Sequence, residues 1–118
     1  MPTLTKSKYM SGLQCLKRLW IEIHRRDLIP EVDAGLQHIF DVGQEVGELA
    51  KKVFPKGIDI PYDWNNTQEN VDKTKQLLKK RKILFEAGIQ VENIYARADI
   101  LRPVKDAWDI IEVKTMQE

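Results

Sequence analysis

The hydrophobic period changes once along this chain, at about Lys82, and that change constrains its fold more than any other feature. Before it, apolar residues recur at helical spacing. Tyr9, Met10, Leu13, Leu16, Leu19, Trp20 and Ile23 form one set between Lys6 and His24. Thr5 or Ser7 can cap that run, and Gly12 is placed to break it. Leu36, Ile39, Val42, Val46, Leu49, Ala50 and Val53 form a second set, which predicts a helix over 33–53. After Lys82, apolar and polar residues alternate. The stretches "ILFEAGIQV", "IYARADILR" and "AWDIIEVKT" predict three strands within 83–115. Their connections, at Glu92-Asn93 and around Pro103, are short, which makes neighbours antiparallel. The expected fold class is therefore α/β in the α+β sense: helices, then an antiparallel three-stranded meander.

The segments between these blocks are less regular. "LIPEVDA" reads as a loop, because Pro30 bars a helix through Ile29. "FPKGIDIPYDWNN" is turn-rich, with a short strand near Ile58. Asn66, with Glu69 three residues on, starts a third helix that runs to about Leu78. Its few apolar residues make 57–80 peripheral to the helices of 6–53 and the strands of 83–115. Gly43 and Gly47 lie one turn apart inside the second helix, each costing roughly 1 kcal/mol of helix propensity. That cost predicts a close packing partner there.

A chain of 118 residues fits one domain, 1–118. No apolar run approaches the roughly 20 residues of a membrane span, and "MPTLTKSKYM" lacks a signal-peptide core, so the expected location is cytoplasmic. Cys15 is the single cysteine. It excludes an intramolecular disulfide and a self-contained cysteine metal site, and on its own it reads as a small buried hydrophobe. The net charge of +1 exerts no general pull on nucleic acid. The segment from Lys73 to Lys82, however, carries six positive and no negative residues, and Lys6, Lys8, Lys17, Arg18, Arg25 and Arg26 form a second basic set. A solvated face and a phosphate-contacting face are both open readings.

Two carboxylates and a lysine carry the chemical argument. By strand alternation, Tyr95, Arg97, Asp99 and Leu101 share one side, and Trp108, Ile110, Glu112 and Lys114 share one side of the next strand. Folding the two strands as a hairpin brings Asp99 and Glu112 close. Paired carboxylates repel unless a cation lies between them, and oxygen ligands suit Mg²⁺ or Mn²⁺. Such an ion activates water and neutralises phosphate charge, with Lys114 placed to hold the water. A solvated strand face with alternating charge is the competing reading. In the second helix, counting about 100° per residue from Val46 puts Glu45 at the edge of the apolar stripe and Glu48 near the solvent pole. Glu45 is therefore the expected helical ligand.

The order "DVGQEVGELA", "ARADIL", "IIEVKT" resembles the RecB-like branch of the PD-(D/E)XK nuclease superfamily. The opening "LTKSKYMSGLQCLKRLWIE" is similar to the start of bacterial RecB-like proteins that carry an iron–sulfur cluster and are related to the nucleases of CRISPR spacer acquisition. The resemblance runs from about Leu4 to Thr115. It implies a restriction-endonuclease-like core and metal-dependent hydrolysis of DNA phosphodiester bonds. Asp99 then matches the first metal ligand, Glu112 the second and Lys114 the catalytic lysine, with help from Glu45 and the Val113 carbonyl. Lys79, Lys80, Arg81 and Lys82 would meet the DNA backbone. Cys15 matches the first cluster cysteine, but Leu16 stands where relatives have proline, and the other three cluster cysteines and the helix after the E-x-K strand have no counterpart. The resemblance thus covers an N-terminal part, incomplete at the C-terminal side. An iron–sulfur cluster is not expected within this chain alone, and a homodimer or a further C-terminal portion would complete the core. The alternative expectation is a non-catalytic nuclease-like module that binds nucleic acid or a protein partner.

Overall fold

The computed structural model describes residues 3–115. It is a mixed α and β structure in which four α-helices accompany one five-stranded sheet. Strand β1 (Leu4–Thr5) leads directly into α1 (Lys6–Gln14) and α2 (Leu16–His24). The Thr5 side chain caps α1 by accepting from the Lys8 N–H. The break between the two helices falls at Cys15, not Gly12: Cys15 takes an extended backbone with φ −161°. Gly12 provides room instead, since a Cβ there would lie 2.9 Å from Leu19 Cδ2 as α2 folds back on α1.

A single 3-10 turn (Arg26–Leu28) and a loop lead to α3 (Ala34–Lys51), which Asp33 caps by accepting from the Leu36 N–H. Strand β2 (Ile58–Asp59) and helix α4 (Thr67–Leu78) follow, then β3 (Leu84–Val91), β4 (Ile94–Val104) and β5 (Ala107–Ile111). Strand β3 runs antiparallel to β4, and β4 antiparallel to β5. The two-residue turns between them open on Glu92 (φ 54°) and Lys105 (φ 55°), a positive φ that tight hairpin loops demand. The sheet exceeds the three strands expected: β1 adds parallel to the start of β4, and β2 adds parallel to β3. Strands of two residues are too short to show an alternation.

The core lies where β3, β4 and α4 meet. Leu84, Ala87, Ile60 and Leu101 form its centre, with Leu77, Leu78 and Trp108 against them. Helix α4 is not peripheral: Asn70, Val71 and Thr74 are buried. Asn70 donates to the carbonyls of Pro61 (3.1 Å) and Glu86 (2.9 Å) and accepts from the Tyr95 hydroxyl (2.8 Å). Thr74 donates to the Asn70 carbonyl and accepts from the Gly88 N–H. This polar bridge has a fixed geometry. A Cβ on Gly88 would lie 1.6 Å from Asn70 Oδ1, so only glycine fits.

Helix α3 is different. None of its residues is buried: Val42, Val46 and Ala50 are half-buried, and Leu36, Ile39 and Leu49 are 42–54% exposed. The close partner predicted at Gly43 and Gly47 is absent, because a Cβ at either would meet nothing within 4 Å among the described residues. Helix α3 is tied to the sheet mainly by Lys51, which pairs with Asp59 (2.8 Å) and lies over the Phe85 ring. Among the described residues no helix is long and apolar enough to cross a membrane.

Candidate active site

The outer edge of β4 is shared. Strand β1 pairs with it at Ile94 and Tyr95, and β5 pairs from Ile100 to Val104. Residues 96–99 lie between those two ladders. A cavity of about 470 Å³ opens there, lined among others by Lys6, Arg97, Asp99, Glu112 and Lys114. The ladder ends at Ile100↔Ile111, one residue short of the Asp99–Glu112 pair that strand counting would set opposite each other, and both carboxylates line this cavity. Past Ile111 the chain leaves the backbone ladder. The Val113 N–H donates 2.9 Å to Asp99 Oδ2, so a side chain, not a strand partner, holds the E-x-K segment.

Glu112 is where two of the cavity's cations meet. One of its oxygens accepts from Lys6, and the same oxygen pairs with Lys114 at 3.2 Å. The Lys6 contact, and then that of Lys114, hold the Glu112 carboxyl below the usual carboxylate range. Asp99, half-buried, is thus braced by a backbone N–H while Glu112 is braced by two ammoniums.

Sequence reading missed three groups at this site. Lys6 arrives from α1, and no local pattern announces a contact across more than 100 residues. Arg97 lies 3.3 Å from Glu86 and stacks on the Tyr62 ring at 3.5 Å. Glu86 is the third, and it has an unusual backbone: φ is +61° in the middle of a strand. Pairing on either side (Phe85↔Ile100, Ala87↔Ala98) puts Glu86 opposite Asp99, and its carbonyl turns to Asn70. Burial raises the Glu86 carboxyl above its ordinary value; Arg97 opposes that rise and the Asp99 charge adds to it. A signal for Glu86 existed: counting back through the Glu92-Asn93 turn reaches it from Asp99.

A second cavity, about 490 Å³, separates α3 from the sheet and shares Glu86, Arg97, Asp99 and Val113 with the first. The helix lines it with Gly43, Gln44, Gly47, Glu48 and Lys51. Glu48, not Glu45, therefore borders Asp99's surroundings, and Glu45 is exposed away from both cavities. The expectation for Glu45 assumed that the apolar stripe packs on the sheet; the glycine and lysine side faces the sheet instead, across this cavity. Glu48 itself pairs with Lys51 at 3.2 Å.

The remaining candidates lie elsewhere. Cys15 is exposed, contrary to the buried position expected, because it sits at the outer corner between α1 and α2. Lys79, Lys80, Arg81 and Lys82 are exposed at the end of α4. Arg81 is engaged there: it donates to the carbonyls of Lys105 and Ala107 and lies 4.8 Å from the Trp108 ring centre. It clamps the β4–β5 turn, six residues along β4 from Asp99, or about 20 Å at strand rise.

As a test for a divalent ion, the donor set is all oxygen, which suits Mg²⁺ or Mn²⁺. Asp99 and Glu112 line the same cavity, and the Val113 N–H donates to Asp99. Their arrangement is not a closed cluster: no group of three or more His, Cys, Asp or Glu placed to hold a metal ion is found among the described residues. Compared with family models, with curated proteins and with solved structures, the chain shows no match.

Proposed function

We propose that this chain is a RecB-like domain of the PD-(D/E)XK class, acting as a metal-dependent nuclease on DNA in the cytoplasm. The observation that carries the reading is the convergence of Asp99, Glu112 and Lys114 on one cavity, where the Val113 N–H between the last two donates to Asp99. Asp99 and Glu112 would hold Mg²⁺ or Mn²⁺, with the Val113 carbonyl as a third oxygen. The bound ion supplies a more acidic water and charge neutralisation at a phosphate. Lys114 orients the attacking water by donating to its oxygen. Arg97, braced on Tyr62, presents a fixed guanidinium to the phosphate's charge. Contacts of this kind fix backbone position without reading sequence. Lys79, Lys80 and Lys82, about 20 Å along the sheet, would meet the same strand further on.

Cleavage of single- and double-stranded DNA in Mn²⁺, compared with Lys114→Ala, tests the assignment. The variant should lose about 10²-fold or more in rate, the order seen when one transition-state donor is removed. Equal rates in the two proteins would remove it.

One observation favours a second reading, a nuclease-like module that binds nucleic acid or a partner without cutting. Glu112 is already satisfied by two lysines, and the acids are not gathered into a three-ligand cluster. Mn²⁺ titration of the chain and of Asp99→Asn separates the two readings. Binding that depends on Asp99 supports the nuclease; no such binding supports the module.

A further inference from the structure

Lys6 is the first residue of α1, and its backbone is fixed from both sides. Thr5 caps the helix, and β1 is zipped to the start of β4, with the Leu4 N–H 2.7 Å from the Asn93 carbonyl. From that fixed base the side chain crosses the cavity to Glu112. Lys114 meets the same carboxylate oxygen. Two ammoniums on one oxygen repel each other, so the second adds less than the first. The Lys6 and Glu112 side chains are 56% and 46% exposed, and a pair so open to water holds only weakly. The side chain of Lys6 is thus held in place by a contact that a stronger cation displaces.

We propose that Lys6 is an exchangeable counter-ion: it occupies Glu112 in the resting protein and transfers to a phosphate of the bound strand when a divalent cation takes Glu112. This rests on the reading of Asp99 and Glu112 as a metal site. A divalent charge at Glu112 repels both ammoniums. Lys114 stays beside the ion because it lies two residues away on the same extended segment. Lys6, on a flexible four-carbon stem, turns into the cavity with its three donors unspent. The cavity is lined there by Ser7 and Arg97 and is open to an anionic strand. Nothing in the E-x-K pattern assigns this role to a residue so far upstream.

The exchange makes phosphate contact by Lys6 conditional on metal, and salt dependence reads it. A phosphorothioate-linked oligonucleotide resists hydrolysis and serves as the probe. Its binding to the full chain is measured across a salt series, in Mn²⁺ and in EDTA, for wild type, Lys6→Gln and Lys6→Arg. In Mn²⁺, Lys6→Gln should lower the slope of log K against log salt by about 0.7–0.9, one phosphate contact. In EDTA its slope should match wild type, and Lys6→Arg should match wild type in both. Mn²⁺ should bind Lys6→Gln more tightly than wild type, because a competitor is gone. An unchanged slope in Mn²⁺ overturns the proposal, as does an equal loss in EDTA, which would make Lys6 a permanent phosphate contact. If wild type binds no Mn²⁺ through Asp99, the metal reading itself falls and takes this proposal with it. A circular dichroism spectrum matching wild type shows that the exposed substitution leaves the fold intact.

Discussion

The two sides of this molecule use apolar residues in opposite ways. Where α4 covers the sheet, Leu84, Ala87 and Leu101 are 0–3% exposed, and the buried polar groups Asn70 and Thr74 are fully bonded. Along α1, α2 and α3 no residue is buried, and Leu13, Leu16, Trp20, Ile39 and Leu49 are each more than half exposed. The amphipathic pattern is as strong on the second side as on the first. A hydrophobic stripe therefore specifies a helix but not its partner, and only contact converts it into stability. The candidate active site lies on the seam: β4 supplies Asp99 and Arg97 from the packed side, and α1 supplies Lys6 from the open one.

If that contrast is right, substitutions on the packed side cost far more than matched ones on the open side. Gly88→Ala should have the largest effect, about 3 kcal/mol or more, since its Cβ would collide with Asn70 and break a buried network. A urea midpoint close to wild type would show that the bridge yields, and the packed side would then be softer than described. Leu84→Ala should cost about 2–5 kcal/mol by the same measurement, as cavity formation in a closed core does. Glu86→Gly tests the strain at the seam. Releasing a non-glycine residue from φ +61° should stabilise the fold by about 0.5–1 kcal/mol, even though it removes a carboxylate beside Asp99. A loss of stability would mean that the Arg97 contact outweighs the strain. Leu49→Ala should change stability by less than about 0.5 kcal/mol, because its side chain has little to leave. A loss as large as that of Leu84→Ala would show that α3's stripe is packed in solution, and the contrast would collapse.

Much of this arrangement was legible in the chain. Cap residues at Thr5 or Ser7 and at Asn66 located two helix starts, because a side-chain oxygen three residues before a free N–H is a local device, and the apolar stripe located the start of α3, which Asp33 caps. Alternation located β3, β4 and β5, and tight turns fixed the antiparallel registers that bring Asp99 and Glu112 to one cavity. What escaped was non-local or conformational. Strand β1 is two residues long and exists only through its partner; β2, equally short, was expected near Ile58, but not its parallel place beside β3. Asn70 read as one more polar residue of an exposed helix, since its three bonds reach three separate segments. The facing of α3 was inferred from its apolar stripe, and the glycine and lysine side faces the sheet instead. Lys6 sits in a basic stretch that resembles any solvated surface; its meaning lies in Glu112, far along the chain.

The shared edge of β4 also sets a clock. Its outer side is completed by two segments whose facing residues, Lys6 and Glu112, are 106 positions apart in the order of synthesis. At ordinary ribosomal speeds roughly 5–20 seconds separate the two. During that interval Lys6 is present while Glu112 and Lys114 have yet to be made. A nascent chain therefore carries Lys6 without its partner, and the cavity closes only once Glu112 and Lys114 have followed β5 into place.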